Sequence, residues 1–306
     1  MIIYMELSSI IHDLGVSAKA LYALSNHTEK HYHRAKILKG NGEYRELAVP
    51  DNFLKSVQRK IADTLLVHEE ISPYATAYRY GGSVIANAEP HLGNSSILKL
   101  DIRKFFDTIT YPLIKDNAFP KNRYSEKIRI LLTFLCVYND VLPQGAPTSP
   151  VISNIIMREF DNTVGAWCRQ RNICYTRYCD DMTFSGELNR EEIIDFVKKE
   201  LKKMGFFLND KKTAFIHDGQ KKIVTGIVIN KKLNTSKKYR KQVRQEIFYC
   251  KKFGVASHMK HINSDKSKND YLLSLLGKVN FILSVDKCNA EALGYKKWLS
   301  EEIKNN

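Results

Sequence analysis

The stretch TRYCDDMTFSG, residues 176–186, sets two carboxylates side by side, Asp180 and Asp181, between two runs of strand-forming residues. Adjacent like charges repel, and aspartate is disfavoured in strands. The pattern reads as a hairpin over ICYTRYCDDMTFSG (173–186) whose tip carries both aspartates. A tight turn can aim neighbouring carboxylates at one point, where their repulsion becomes affinity for a cation. Hard oxygen ligands suit Mg²⁺, which keeps several waters and takes one or two carboxylates plus substrate phosphates. A two-metal site needs another carboxylate from a different segment. LKLDIRKFF supplies Asp101 at the end of an apolar strand, ILKLDI (97–102), where a charge has little reason to sit unless it works. Taken alone, a turn aspartate pair plus an unrelated strand-end aspartate would explain the same residues.

The rest of the chain frames this pattern. Residues 1–70 read as short helices around a polar, basic stretch at 31–50, with Gly40-Asn41-Gly42 as a hairpin turn between two strands. Apolar residues at helical spacing predict helices over 123–138 and 149–171, the second with Ser149 as N-cap and Pro150 in its first turn. A helix at 190–204, short strands through 229 and three helices to the end complete the reading. Helices interleaved with hairpin-joined strands give an α+β class with an antiparallel sheet.

Composition narrows the partner. Forty-eight Lys and Arg against 33 Asp and Glu leave a net charge of +15 over 306 residues, which points to a polyanion, either nucleic acid or an anionic membrane surface. The charge is uneven: residues 231–306 hold 17 Lys and Arg against 7 Asp and Glu, a net of +10. A solvated lysine-rich face is the plain alternative. The six cysteines form no CxxC pair and no zinc spacing, which suits a reducing compartment. No signal peptide is recognised at the start. The longest apolar run, at 271–285, is too short and interrupted to span a bilayer, so a cytoplasmic location without membrane contact is expected.

Four blocks then occur in order: LDIRKFFDTI (100–109), LPQGAPTSP (142–150), RYCDD (177–181) and GFFLNDKKT (205–213). In order and spacing they resemble the polymerase core of reverse transcriptases, over roughly residues 35–230. NAEPH (87–91) and VTG (224–226) resemble the N-A-x-x-H and V-T-G elements of retron reverse transcriptases, bacterial enzymes that copy part of their own non-coding RNA into DNA.

The resemblance implies a right-hand polymerase fold: fingers over 1–96, a palm over 97–230 with a finger insertion at about 113–140, and a basic helical thumb over 231–306. It implies two Mg²⁺ ions held by Asp101 and Asp180, with Asp181 supporting them electrostatically. Phe106 stands where the family has an aromatic that blocks a nucleotide's 2′-OH; core packing beside Phe105 is the alternative. Gln144 and Gly145 line up with the loop that meets the incoming nucleotide or template. Arg45 matches the fingers arginine that grips the triphosphate. Lys212 aligns with a lysine proposed to protonate pyrophosphate, although a generic exposed lysine fits equally well. Cys179 replaces the family's usual alanine; small and apolar, it should preserve the turn and is not read as a nucleophile.

Asn87, His91, Val224, Thr225 and Gly226 are expected to serve RNA recognition. Lys237, Lys238 and Lys241 would lie along a duplex backbone on a helix that docks through Tyr239, Val243 and Ile247. The implied partners are dNTPs, a cognate non-coding RNA of msr–msd type, its DNA product, host RNase H and an effector encoded nearby, in anti-phage defence. Only 80 residues follow Gly226, so no RNase H, nuclease or integrase domain is expected. The competing readings are a group II intron-like or abortive-infection reverse transcriptase, an idle polymerase-like RNA-binding protein, and a basic membrane-surface protein.

Overall fold

The computed structural model describes residues 3–38 and 42–305. The chain divides into two compact units, one of residues 1–83 with 96–215, the other of 84–95 with 216–306.

The first unit opens with helices Leu7–Leu14 and Ala18–Asn26. Ser17 caps the second by accepting from Ala20 N, a bond typically worth about 1 kcal/mol. Strands β1 (Tyr32–Leu38) and β2 (Tyr44–Pro50) pair antiparallel from Tyr32 opposite Pro50 to Leu38 opposite Tyr44. The turn expected at Gly40-Asn41-Gly42 falls outside the described residues except for Gly42.

The main sheet has the order β4-β5-β3-β6, where β3 is Ser96–Asp101, β4 Cys174–Tyr178, β5 Asp181–Gly186 and β6 Ala214–Ile216. β5 pairs antiparallel with both β3 and β4. Leu98, Leu100, Met182, Phe184 and Tyr175 bury the sheet interior. The predicted helices appear at Glu126–Cys136, Ser149–Arg169 and Arg190–Lys203. Ser149 is not an N-cap: Thr148 precedes the helix, and Ser149 is buried and donates its hydroxyl to the Pro143 carbonyl at 2.7 Å. Pro150 occupies the first turn as expected.

In the second unit, the short helix Val84–Ala88 accompanies a two-stranded hairpin, β7 (Ile223–Val224) with β8 (Ile227–Val228). Gly93 N donates to the Ile229 carbonyl at 3.2 Å and Lys222 Nζ to the Asn94 carbonyl at 2.8 Å, tying residues 84–95 to this later segment. The end of the chain holds four helices rather than three: Lys237–Phe253, Val255–His261, Lys268–Val285 and Ala290–Lys304. Gly254 separates the first two, with φ of +85°. Val243, Ile247, Leu272, Leu275, Val279 and Leu299 form the core of these helices, and Tyr239 packs against it half-buried. Among the described residues no helix is long and apolar enough to cross a membrane.

Candidate active site

The register of β3 on β5 places Asp101 opposite Asp181. Asp180 sits one residue earlier, in the turn that follows Cys179, and its carbonyl accepts from Ile102 N at 3.1 Å. Three aspartates thus occupy neighbouring backbone positions where two strands meet. Cys179 adopts φ of +62°, a conformation that non-glycine residues take at a cost of about 1–2 kcal/mol.

What holds this turn lies beneath it. Arg177 is completely buried and donates from Nη1 to the Cys179 carbonyl at 2.8 Å. Its remaining donors reach Asp161 at 2.8 Å from Nε and 2.5 Å from Nη2, and Asn154 at 3.2 Å. Tyr175 completes the group by donating its hydroxyl to Asp161 at 2.8 Å. Burial opposes the Arg177 charge, but the field of Asp161 and the hydrogen bonds to it raise the guanidinium pKa further. A buried ion pair of this kind is stable only when every partner is satisfied. None of these residues stands out in the sequence as a site residue. A signal is nevertheless present: Asp161 falls on the stripe Met157, Asp161, Val164 and Cys168, all buried on one helix face.

Asp101 is 3% exposed, and both carboxylate oxygens are engaged. Oδ1 accepts from Asn209 Nδ2 at 3.0 Å, and Oδ2 accepts from Lys212 Nζ at 2.5 Å. The Asp101 carbonyl also accepts from Asn209 N at 2.8 Å, which registers the segment bearing Lys212 against β3. Desolvation works against the Lys212 charge, yet the hydrogen bond to Asp101 and the fields of Asp101, Asp180 and Asp181 raise its pKa overall. The Asp181 pKa is raised as well, but for a carboxyl that disfavours the charged form. Desolvation first, then the negative charges of Asp180 and Asp101, push its carboxyl up to about 6, opposed by Lys212 and Lys99.

Among the described residues, no three His, Cys, Asp or Glu side chains converge as they stand to hold an ion. The donor set nevertheless fits a divalent cation. Lys212 already stands as a positive charge on Asp101, and the crowding that raises Asp181 is what a cation among these oxygens would relieve.

A cleft of about 550 Å³ is lined by Arg45, Asp101, Phe106, Gln144, Asp180 and Lys212, whereas Asp181 is not among its lining residues. Phe106 is half-buried, packs against the core and meets the buried Phe105 edge-on at 5.3 Å; both rings line the cleft, and Phe106 is the more exposed of the two. Arg45 is exposed on β2. The loop 142–150 docks on the same strand: Ala48 N donates to the Gln144 carbonyl at 2.9 Å. Gly145 has φ of +127°, and a Cβ there would stand 2.7 Å from the Ala48 carbonyl oxygen, so glycine alone allows this approach. The Cys179 thiol is buried and pushed up to about 12, which keeps it protonated and unreactive.

The second unit holds the other sequence-selected residues. Thr225 and Gly226 have φ of +44° and +84°, forming the two-residue turn that joins β7 to β8. Thr225 Oγ1 donates to the Val84 carbonyl at 2.9 Å, and Asn87 Nδ2 donates to Thr225 Oγ1 at 3.3 Å. NAEPH and VTG, separated by more than a hundred residues, are therefore in direct contact. Asn87, His91 and Val224 are buried, whereas Gly226 is exposed at the turn. Lys237, Lys238 and Lys241 are exposed on the helix Lys237–Phe253.

The family model described as reverse transcriptase (RNA-dependent DNA polymerase) matches residues 37–294. The Retron Ec83 reverse transcriptase of Escherichia coli is 30% identical over 300 residues, covering 92% of this chain and 91% of that protein. The Retron Ec86 reverse transcriptase of Escherichia coli is 29% identical over 287 residues, covering 90% and 84%. Among solved structures, apo telomerase from Candida tropicalis aligns with 90% of this chain and 58% of its own at 13% identity, with a TM-score of 0.46. The α+β architecture with its antiparallel sheet is that of the right-hand polymerases. The chain belongs to the reverse transcriptase family, and within it to the retron reverse transcriptases, so it is an RNA-directed DNA polymerase.

Proposed function

We propose that this polymerase copies part of a dedicated non-coding RNA into single-stranded DNA, starting from a 2′-OH of that RNA, so that the product is a branched RNA–DNA. The observation that carries this reading is the contact between Asn87 and Thr225, which joins the two elements the sequence shares with retron enzymes. Residues 231–306 act as a thumb that holds duplex phosphates through Lys237, Lys238 and Lys241. Most of the fingers and palm fall in the first unit, while residues 84–95 of the fingers and 216–230 of the palm belong to the second. Asn87, His91 and Val224 act indirectly, by fixing the Thr225-Gly226 turn that faces the RNA.

In the cleft, Asp101 and Asp180 would hold two Mg²⁺ ions, with Asp181 adding negative charge from the adjoining strand end. When bound, the ions activate the primer hydroxyl and offset charge on the leaving pyrophosphate. Arg45 grips the triphosphate by its planar guanidinium, Gln144 hydrogen-bonds the nucleotide or template, and Phe106 excludes a ribose 2′-OH. Lys212, which donates to Asp101 at the edge of the cleft, would supply a proton to pyrophosphate. The enzyme works in the bacterial cytoplasm, with host RNase H removing copied RNA and an effector encoded nearby completing an anti-phage system.

The test is incorporation of labelled dNTP onto RNA co-purified from the native host, with no primer added, followed by debranching. Label released as DNA only after debranching is expected. Label that appears only with an external 3′-OH primer would overturn self-priming and leave the polymerase assignment intact.

A further inference from the structure

In the second unit, a cleft of about 510 Å³ lies beside the helix Lys237–Phe253 and is lined by Tyr249, His258 and Tyr271 together with Gln242, Gln245 and Lys266. His258 is 6% exposed, and its Nε2 has no hydrogen-bond partner among the described residues. A buried polar atom left without a partner costs about 1–3 kcal/mol, so its retention at the wall of a cleft calls for a ligand. Burial lowers the His258 pKa, only partly offset by Glu246, so the imidazole is neutral near pH 7 and offers one ring nitrogen as donor or acceptor.

The rings beside it form a ledge. Tyr249 stacks on His258 at 5.6 Å and on Phe253 at 6.2 Å, each with planes 24° apart. Tyr249 and Phe253 are 42% and 55% exposed, although a soluble helix normally buries such rings. Lys252 lies over the Phe253 ring at 5.2 Å, interleaving positive charge with the aromatics. Lys278 is bonded to Glu246 and Lys266 to Ser274, so polar and charged groups share the wall with Tyr249, Tyr271 and Ile262. Exposed aromatics alternating with cations are the physical means by which proteins hold unpaired bases.

We propose that this cleft takes an unpaired nucleobase of RNA, stacked on Tyr249, with its polar edge hydrogen-bonded to His258 Nε2; Phe253 backs Tyr249 from outside the cleft. The inference deepens the RNA-partner reading above and rests on it. Phosphate contacts on the basic helix cannot distinguish paired from unpaired RNA, whereas a base-stacking site can.

The test compares the full-length protein with Tyr249→Leu and His258→Gln. The probes are a short oligoribonucleotide carrying 2-aminopurine, single-stranded or annealed to its complement. Tyr249→Leu should weaken single-strand binding by about five- to 150-fold and abolish 2-aminopurine quenching, since one stacked base contributes about 1–3 kcal/mol. Duplex binding and incorporation from an external primer should not change. His258→Gln keeps a polar edge and should retain quenching while altering preference among base identities. Equal losses on both probes, or no loss on either, would overturn the proposal. So would unchanged RNA binding in variants that instead release a bound protein. Absence of self-primed synthesis by the wild type would count against the priming mechanism and leave this binding comparison standing.

Discussion

Arg177, wholly buried, donates from Nη1 to the Cys179 carbonyl at 2.8 Å and so clamps the left-handed residue that precedes Asp180. The same guanidinium is held by Asp161, which makes the catalytic turn rest on an ion pair inside the protein. Arg177→Met should destabilise the fold by about 3–5 kcal/mol, because it strands Asp161 without its partner. Arg177→Lys keeps the charge but not the fork that reaches both Asp161 and the carbonyl. We expect it to fold and to lower kcat with little change in KM for dNTP. An unchanged kcat in folded Arg177→Lys would remove the positioning role.

Phe105 and Phe106 both line the cleft, but Phe105 is buried whereas Phe106 is only half-buried. Phe106→Val should therefore admit ribonucleotides without unfolding the chain. A steric clash costs about 1–3 kcal/mol, so discrimination between dNTP and rNTP should fall by about ten- to a hundredfold. Steady-state incorporation of paired dNTP and rNTP checks this, and unchanged discrimination in a folded variant would return Phe106 to packing alone.

Asp181 carries the pH dependence. Its folded pKa, about 6, lies above its ordinary value of 3.8. The folded state therefore binds the proton more tightly, and stability falls as pH rises from about 4 through 6 in the absence of divalent metal. Asp181→Asn removes that repulsion. After screening at an exposed carboxylate, a gain of about 1 kcal/mol corresponds to roughly 2–4 °C in Tm. Thermal melts in EDTA should show the gain at pH 7.5 and a smaller one at pH 5. Mg²⁺ affinity of the wild type should fall with pH across the same window, since cation and proton compete. A Tm difference independent of pH would contradict this.

The hairpin, its two aspartates and Asp101 are legible in the sequence because alternation and turn chemistry act over a few residues. So is the meeting of Asp101 with the Asp180-Asp181 tip, through the order of the blocks. The clamp from Arg177 to Asp161 is harder to read: each charge sits in an otherwise apolar element, and only the sheet brings Cys174–Tyr178 onto the helix Ser149–Arg169. The closeness of NAEPH and VTG is hidden for the same reason, since no local rule pairs Asn87 with Thr225. Ser149 reads as a cap in the sequence, yet its hydroxyl has a nearer use at the Pro143 carbonyl. The fourth terminal helix escapes the sequence because Gly254 breaks an apolar pattern that continues on both sides.

Charge reversal at Lys237, Lys238 and Lys241 should weaken binding to every RNA. Each phosphate-bound cation removed should lower the slope of log K against log salt by about 0.7–0.9. The side chains are exposed, and acidic residues in the first turn favour the helix dipole, so folding should be unharmed. Filter binding across a salt series checks the slope; an unchanged slope would place the duplex-binding surface elsewhere.

The central claim is that Asp101, Asp180 and Asp181 together carry RNA-templated DNA synthesis. Asp180→Asn tests it most directly, because it removes one formal charge from the site at almost constant volume. Incorporation of labelled dNTP on a primed RNA template in Mg²⁺ should drop to background, while the variant stays folded and keeps its RNA affinity. Wild-type incorporation by the folded variant would contradict the account.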